Sequence, residues 1–175
     1  RTRVVVLGDL FDSYLRPAQL DGAAWLRAVE ALRQTTAAGV PVTVLHGNRD
    51  FLLGHDFERR SGCLVIPGGL RLRLGARRAL CLHGDELCLR DVGYQRLKSV
   101  LRSRPIRLAA RMLPQRLALR IGGRIRRASS ATQAGRELSR LDATAAAIDA
   151  VFAMSGAELL VFGHVHRAAH HARWR

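Results

Sequence analysis

The segment LLVFGHVHRA, residues 159–168, ends an apolar run on two histidines spaced i, i+2. Side chains alternate along a strand, so His164 and His166 project from one face and can meet one ion. Alone, such a pair is more often a polar strand end that happens to contain histidine. Three further apolar runs end in the same manner, in VLGDLFD, VLHGNRD and CLHGDE, each with glycine beside a potential ligand. In open α/β sheets the C-terminal strand ends gather on one edge, where ligands bind. Asp9, Asn48, His83, His164 and His166 are therefore candidate metal ligands. Oxygen and nitrogen donors without thiolate suit Mn2+, Fe or Zn2+ rather than a structural zinc. Glycine beside each ligand permits a sharp turn and leaves space for a metal and a phosphate.

The elements that must position these residues follow from hydrophobic periodicity. Strands are expected at Val4–Leu7, Val42–Leu45, Ala79–Leu82 and Leu159–Phe162. Residues 18–38 predict an amphipathic helix with Trp25, Val29 and Leu32 on one stripe and Gly39-Val40-Pro41 as its stop. Leu64–Ile66 and Leu70–Leu74 flank Pro67-Gly68-Gly69 and predict a hairpin. Helices are expected over 91–103, 106–127 and 129–155, with Gly156 as a cap. Strands alternating with helices indicate an α/β fold of buried sheets flanked by helices, in one domain spanning 1–175. Asp12, Asp50 and Asp85 are expected to cap turns or orient ligands, His46 to be structural, and His55, His170 and His171 to lie on the surface.

The 175 residues are 48% hydrophobic and 25% charged, as in an ordinary globular domain with a real core. No run of 18 apolar residues is present, which excludes a membrane-spanning helix from the sequence given. Three cysteines without C-x-x-C spacing fit buried thiols in a reducing compartment. The net charge of +15 is nearly all arginine, Lys98 being the only lysine. It favours anionic partners: nucleic acid, phosphate-bearing substrates or a membrane face. From Val92 to Arg136 there is no acidic residue. There Leu117, Ile121 and Ile125 form one helical stripe, and Arg116, Arg120, Arg124 and Arg127 its neighbour. This reads either as a solvated helical face or as a basic insertion, about 91–136, that lies on a membrane or caps an anionic lipid.

The ordered blocks GD, GN, HGD and GHxH resemble those of the calcineurin-like metallophosphoesterases. The longer words GDLFD, HGNRDFLLG, HGDELCLRDVGYQ and GHVHR are similar to one branch, the UDP-2,3-diacylglucosamine hydrolases of lipid A synthesis. Arg49 after Gly47-Asn48 supports that branch, because metallophosphoesterases at large usually carry a catalytic histidine there. Asp91 and Tyr94 in RDVGYQ match it as well. The FDSYLRP segment departs from the branch, whose members usually carry a Trp- and Asp-containing loop.

The resemblance implies a metallophosphoesterase-type sandwich and two Mn2+ ions per active site. Asp9 would bridge them, Asn48, His83 and His164 would complete one site, and His166 would serve the other. A D-x-H block on a preceding strand belongs to the family pattern and is not in this sequence. The chain is thus expected to be truncated at both ends and weak or inactive alone. Arg49 would be catalytic. Asn48, Arg49, Asp91, Tyr94, Ser129 and Arg136 would bind substrate, with relatives often carrying lysine at the last position. The implied reaction is hydrolysis of UDP-2,3-diacylglucosamine to UMP and 2,3-diacylglucosamine 1-phosphate, on the cytoplasmic face of the inner membrane as a peripheral protein. The alternatives are another phosphodiesterase or phosphatase of the superfamily, or a basic nucleic-acid-binding module. Against the module, the chain has no aromatic stacking platform and no groove-reading motif.

Overall fold

The computed structural model describes residues 2–89, 92–103 and 143–165, with residues 105, 106, 108, 114, 117, 120, 121, 124 and 168–170. They build a mixed α/β fold with two three-stranded sheets. The first sheet is β1 (Val4–Val6), β2 (Val42–Leu45) and β3 (Leu64–Ile66), all parallel, in the order β1-β2-β3. The second is β4 (Leu70–Leu74), β5 (Arg77–Leu82) and β6 (Leu159–Phe162), with β4 antiparallel and β6 parallel to β5.

Parallel neighbours need a crossover, and helices supply it. α1 (Ala23–Ala37) joins β1 to β2 and seats Trp25, Ala28, Val29 and Leu32 against a core that includes Val42, Val44 and Phe57. Those four recur at helical spacing, which is why this helix buries a single stripe. The helix expected over 18–38 is divided. Pro17–Asp21 forms a 3-10 turn, and Gly22 at φ −68°, ψ 139° breaks the path before α1 begins.

α2 (His55–Ser61) joins β2 to β3 and was not anticipated from periodicity, since seven residues give too few repeats. Its signals are local. Asp56 and Glu58 stand in the first turn, Arg59 and Arg60 in the last, and Gly62 closes it at φ 72°. Phe57, fully buried, anchors it.

The expected hairpin of Leu64–Ile66 with Leu70–Leu74 does not form. β3 pairs with β2 in one sheet and β4 with β5 in the other, so Pro67-Gly68-Gly69 carries the chain between sheets. The true hairpin is β4–β5, turned by Gly75-Ala76 with Gly75 at φ 62°. That left-handed geometry is what a two-residue hairpin turn demands. A continuous helix over 129–155 is also corrected. Ala143 and Thr144 are not helical, and α4 runs Ala145–Ser155. Thr144 stops the helix because its hydroxyl accepts the Ala147 N–H at 3.3 Å, the role of an N-cap. Gly156 ends it as expected, at φ 63°.

α3 (Val92–Leu101) falls within the expected 91–103 helix. Of the arginine stripe, Arg120 and Arg124 are helical and exposed, while Arg116, Arg127 and most of the expected 106–127 helix lie outside the described residues. Among the described residues, no helix is long and apolar enough to cross a membrane. Cys63, Cys81 and Cys88 are buried free thiols, and burial pushes the first two up from the ordinary thiol range.

Candidate metal centre

β1, β2, β5 and β6 each end in a glycine-containing turn, and the four turns converge. His83, only 4% exposed, joins the two sheets by giving its Nδ1–H to the Leu7 carbonyl at 2.6 Å. A carbonyl only accepts, so this contact fixes the proton on Nδ1. In the neutral ring Nε2 then presents a lone pair. Nε2 lies 3.0 Å from the Asn48 amide oxygen and 3.8 Å from Asp9 Oδ1. His164 stands against it with ring centroids 5.0 Å apart. Asp9, His83 and His164 each offer a ligand atom within 4.8 Å of the others.

Three acceptor atoms facing one another repel unless a cation lies among them. This donor set fits a divalent metal of the borderline class that takes carboxylate, amide oxygen and imidazole together. The backbone is also shaped for it. Asp9 (φ 52°) and His164 (φ 68°) are the non-glycine residues at positive φ among those described. Such strain persists where the surroundings over-determine it, and it clusters at functional sites.

Glycine is required at two of the turns. A Cβ on Gly47 would overlap the backbone nitrogen and carboxylate of Asp9, and one on Gly8 would come within 2.6 Å of His83 Nδ1. The ligand turns are therefore packed backbone to backbone.

Asp50 holds that packing. Fully buried, it accepts the Gly47 N–H at 2.8 Å, the Asp9 N–H at 3.3 Å and the Leu10 N–H at 2.7 Å. Burial pushes its carboxyl up from the usual range, opposed by the Gly47 and Leu10 N–H donors and reinforced by the Asp9 charge. The expected orienting role thus has a definite form: Asp50 ties the Asp9 turn to the Asn48 turn. Asp50→Asn would turn an amide N–H2 against backbone donors. We expect a loss of roughly 2–3 kcal/mol in stability, measured by urea unfolding. A loss below about 0.5 kcal/mol would contradict this account of Asp50.

Arg49 stands beside the ligand cluster. Its backbone N–H donates to Asp9 Oδ1 at 2.9 Å, its Nε lies 3.5 Å from Asp9 Oδ2, and its Nη1 lies 3.4 Å from Asp12 Oδ1. His46 is structural as anticipated, its Nε2 meeting the Leu53 carbonyl at 2.8 Å. His55 is exposed. Asp85, expected to cap a turn or orient ligands, lies in the 3-10 turn Asp85–Leu87 as a buried carboxylate paired with Lys98 Nζ at 2.9 Å. Phe11 and Tyr14 of the divergent FDSYLRP segment are buried, Phe11 stacking on Trp25 at 4.5 Å.

Tyr94 belongs to α3, but its side chain is outside the described residues, as are Asp91, Ser129, Arg136 and His166 entirely. The Leu7 carbonyl and the Lys98 and Arg102 contacts were not anticipated. A backbone partner leaves no sequence signal, and a lone lysine in an arginine-rich stretch gives only a weak one.

Glu86 gives a pH prediction at this edge. Burial, then its hydrogen bond with Asp85, raises its carboxyl above the ordinary glutamate range. At this group the folded state binds more protons than the unfolded chain, so its contribution to stability is fully present below the ordinary glutamate range and is lost as pH rises through the raised native value. Glu86→Gln keeps an oxygen for the Gly84 N–H, which Glu86 now accepts at 3.1 Å. It should raise Tm near neutral pH and flatten the profile above the acid range. An unchanged slope of Tm with pH would contradict this.

No protein-family model matches the chain. It is 38% identical over 169 residues to the UDP-2,3-diacylglucosamine hydrolase of Aeromonas salmonicida, covering 95% of this chain and 65% of that protein. For the protein of the same name in Sodalis glossinidius, identity is 36% over 177 residues, covering 98% and 74%. For that of Pseudomonas putida it is 33% over 168 residues, covering 95% and 69%. The chain spans 65–74% of these relatives' length. The fold and its donor cluster define an α/β protein of metallophosphoesterase type. Within that class, the chain belongs to the UDP-2,3-diacylglucosamine hydrolase family.

Proposed function

We propose that this chain forms the catalytic domain, a single unit over 1–175, of a metal-dependent hydrolase of UDP-2,3-diacylglucosamine. The products are UMP and 2,3-diacylglucosamine 1-phosphate, a step of lipid A synthesis. The observation that carries this reading is the meeting of Asp9, Asn48 and His83 acceptor atoms at 3.0–3.8 Å, with His164 beside them. The relatives' shared name supplies the substrate.

Asp9, Asn48, His83 and His164 would hold one Mn2+, and His166 would serve a second with Asp9. When bound, the metal supplies Lewis-acid polarisation of a phosphoryl oxygen and activation of water. Asp9 contributes the negative charge that draws the cation in, and Asp50 keeps its turn against the Asn48 turn. Leu7 keeps the His83 proton on Nδ1, so Nε2 stays directed at the metal. Arg49, with a planar fork of donors, grips phosphate oxygens and offsets the charge that builds on them during cleavage. Asp91, Tyr94, Ser129 and Arg136 are the proposed contacts to the rest of the substrate. The basic segment about 91–136 would rest on the inner membrane's cytoplasmic face, where an anionic lipid meets arginine.

The test is release of UMP from UDP-2,3-diacylglucosamine. We expect turnover with Mn2+, weak in this chain alone, and none after chelation. Equal turnover in chelator, or cleavage of simple phosphodiesters in preference to this substrate, would overturn the reading. Steep loss of binding to nucleic acid with added salt would mark a backbone binder instead, and we expect no such affinity.

A further inference from the structure

α3 touches both halves of the ligand cluster through one face. Gln95 and Lys98 of α3 and Arg102, directly after its last residue, follow one another at helical spacing, three and four residues apart. Gln95 Nε2 donates to the carbonyls of Asp85 at 2.7 Å and Cys88 at 3.3 Å. Lys98 Nζ lies 2.9 Å from Asp85 Oδ2, and Arg102 Nη2 lies 3.6 Å from the same oxygen. Arg102 Nη2 also donates to the Gly47 carbonyl at 3.1 Å, and its guanidinium sits 5.9 Å from the Phe51 ring centroid.

Asp85 follows His83 by two residues at the end of β5, and Gly47 directly precedes Asn48 at the end of β2. The two turns belong to different sheets. Arg102 therefore bridges the sheet that brings Asn48 and the sheet that brings His83. Asp85 is 1% exposed and Lys98 only 15%, so removing the ammonium would leave a carboxylate desolvated and half compensated. The cheapest relief is for α3 to lift and let water reach Asp85, which frees the two turns from each other.

We propose that Lys98 and Arg102 are positioning residues that latch α3 across the two ligand turns, so that docking of α3 and metal binding are coupled. The inference rests on the metal-centre reading and extends it to a helix that supplies no ligand. Coupling is reciprocal, so a metal held by Asn48 and His83 must tighten α3 as much as docked α3 tightens the metal.

Lys98 makes this measurable, being the chain's only lysine. Its acylation by an amine-selective reagent, read by peptide mass spectrometry, reports the fraction of time the latch is open. Saturating Mn2+ is expected to slow Lys98 acylation about tenfold, and Lys98→Met to weaken Mn2+ binding about tenfold. Mn2+ titration of the unaltered protein is read first. Absence of saturable binding overturns the metal centre and the latch together. Binding that leaves the Lys98 acylation rate unchanged overturns the latch alone, as does a folded Lys98→Met protein that binds Mn2+ within twofold of the original. Should Lys98→Met fail to fold, the acylation experiment on the unaltered chain decides the matter.

Discussion

Replacing Asp9 is expected to abolish both metal binding and hydrolysis, the largest single loss in the molecule. Its Oδ1 lies 3.8 Å from His83 Nε2 and accepts the Arg49 N–H at 2.9 Å, so one carboxylate serves the cation and the Arg49 turn together. It is the anionic member of a cluster otherwise made of imidazole and amide. Alanine at φ 52° would add backbone strain to the loss of charge. Asp9→Asn is the cleaner variant, because asparagine tolerates that conformation and keeps the shape. We expect at least about 4 kcal/mol less transition-state stabilisation, on the order of a 1000-fold loss in kcat/KM. Mn2+ affinity should fall in parallel. Activity of Asp9→Asn within tenfold of the original would remove Asp9 from the centre.

Arg49→Lys should also cost heavily, although it keeps the charge. Arg49 stands between Asp9 and Asp12 with its Nε and Nη1 directed to different carboxylates. Lysine has one compact ammonium and cannot span two acceptors. Losing one preorganised donor in the transition state costs roughly 2–4 kcal/mol, or about 30- to 900-fold in kcat/KM. The backbone N–H to Asp9 survives the change, so Mn2+ affinity should move little. That contrast would separate a role of Arg49 on substrate from a role of Asp9 on metal. A kcat/KM within threefold of the original would show that Arg49 is peripheral.

The two variants differ for a reason that also governs what could be read from the sequence. The candidate ligands could be named because strand, glycine and polar residue are contiguous: GD, HGN, HGD and GHxH each state an element and the residue at its end. Pairing between elements was not. Pro67-Gly68-Gly69 resembles a hairpin turn, yet β3 and β4 enter different sheets because α2 returns β3 parallel to β2. No local pattern distinguishes these outcomes; the partners are remote. The contacts that hold the ligands were hidden for the same reason. His83 to Leu7 spans 76 positions, and Arg102 to Gly47 spans 55. Phe11 and Tyr14 show the converse. Their segment departs from the family pattern, but two aromatic rings next to Trp25 are themselves a core signal.

The most direct measurement is a Mn2+ titration of the chain beside its Asn48→Ala variant. Asn48 supplies a neutral oxygen 3.0 Å from His83 Nε2, and its loss removes a donor without altering net charge. Four protein donors suffice for tight binding at one site, and metal binding should raise Tm as it saturates. The account predicts one tight site in the original chain and no tight site in Asn48→Ala, with both proteins folded. Two sites of equal affinity, or a tight site that survives in Asn48→Ala, would contradict it.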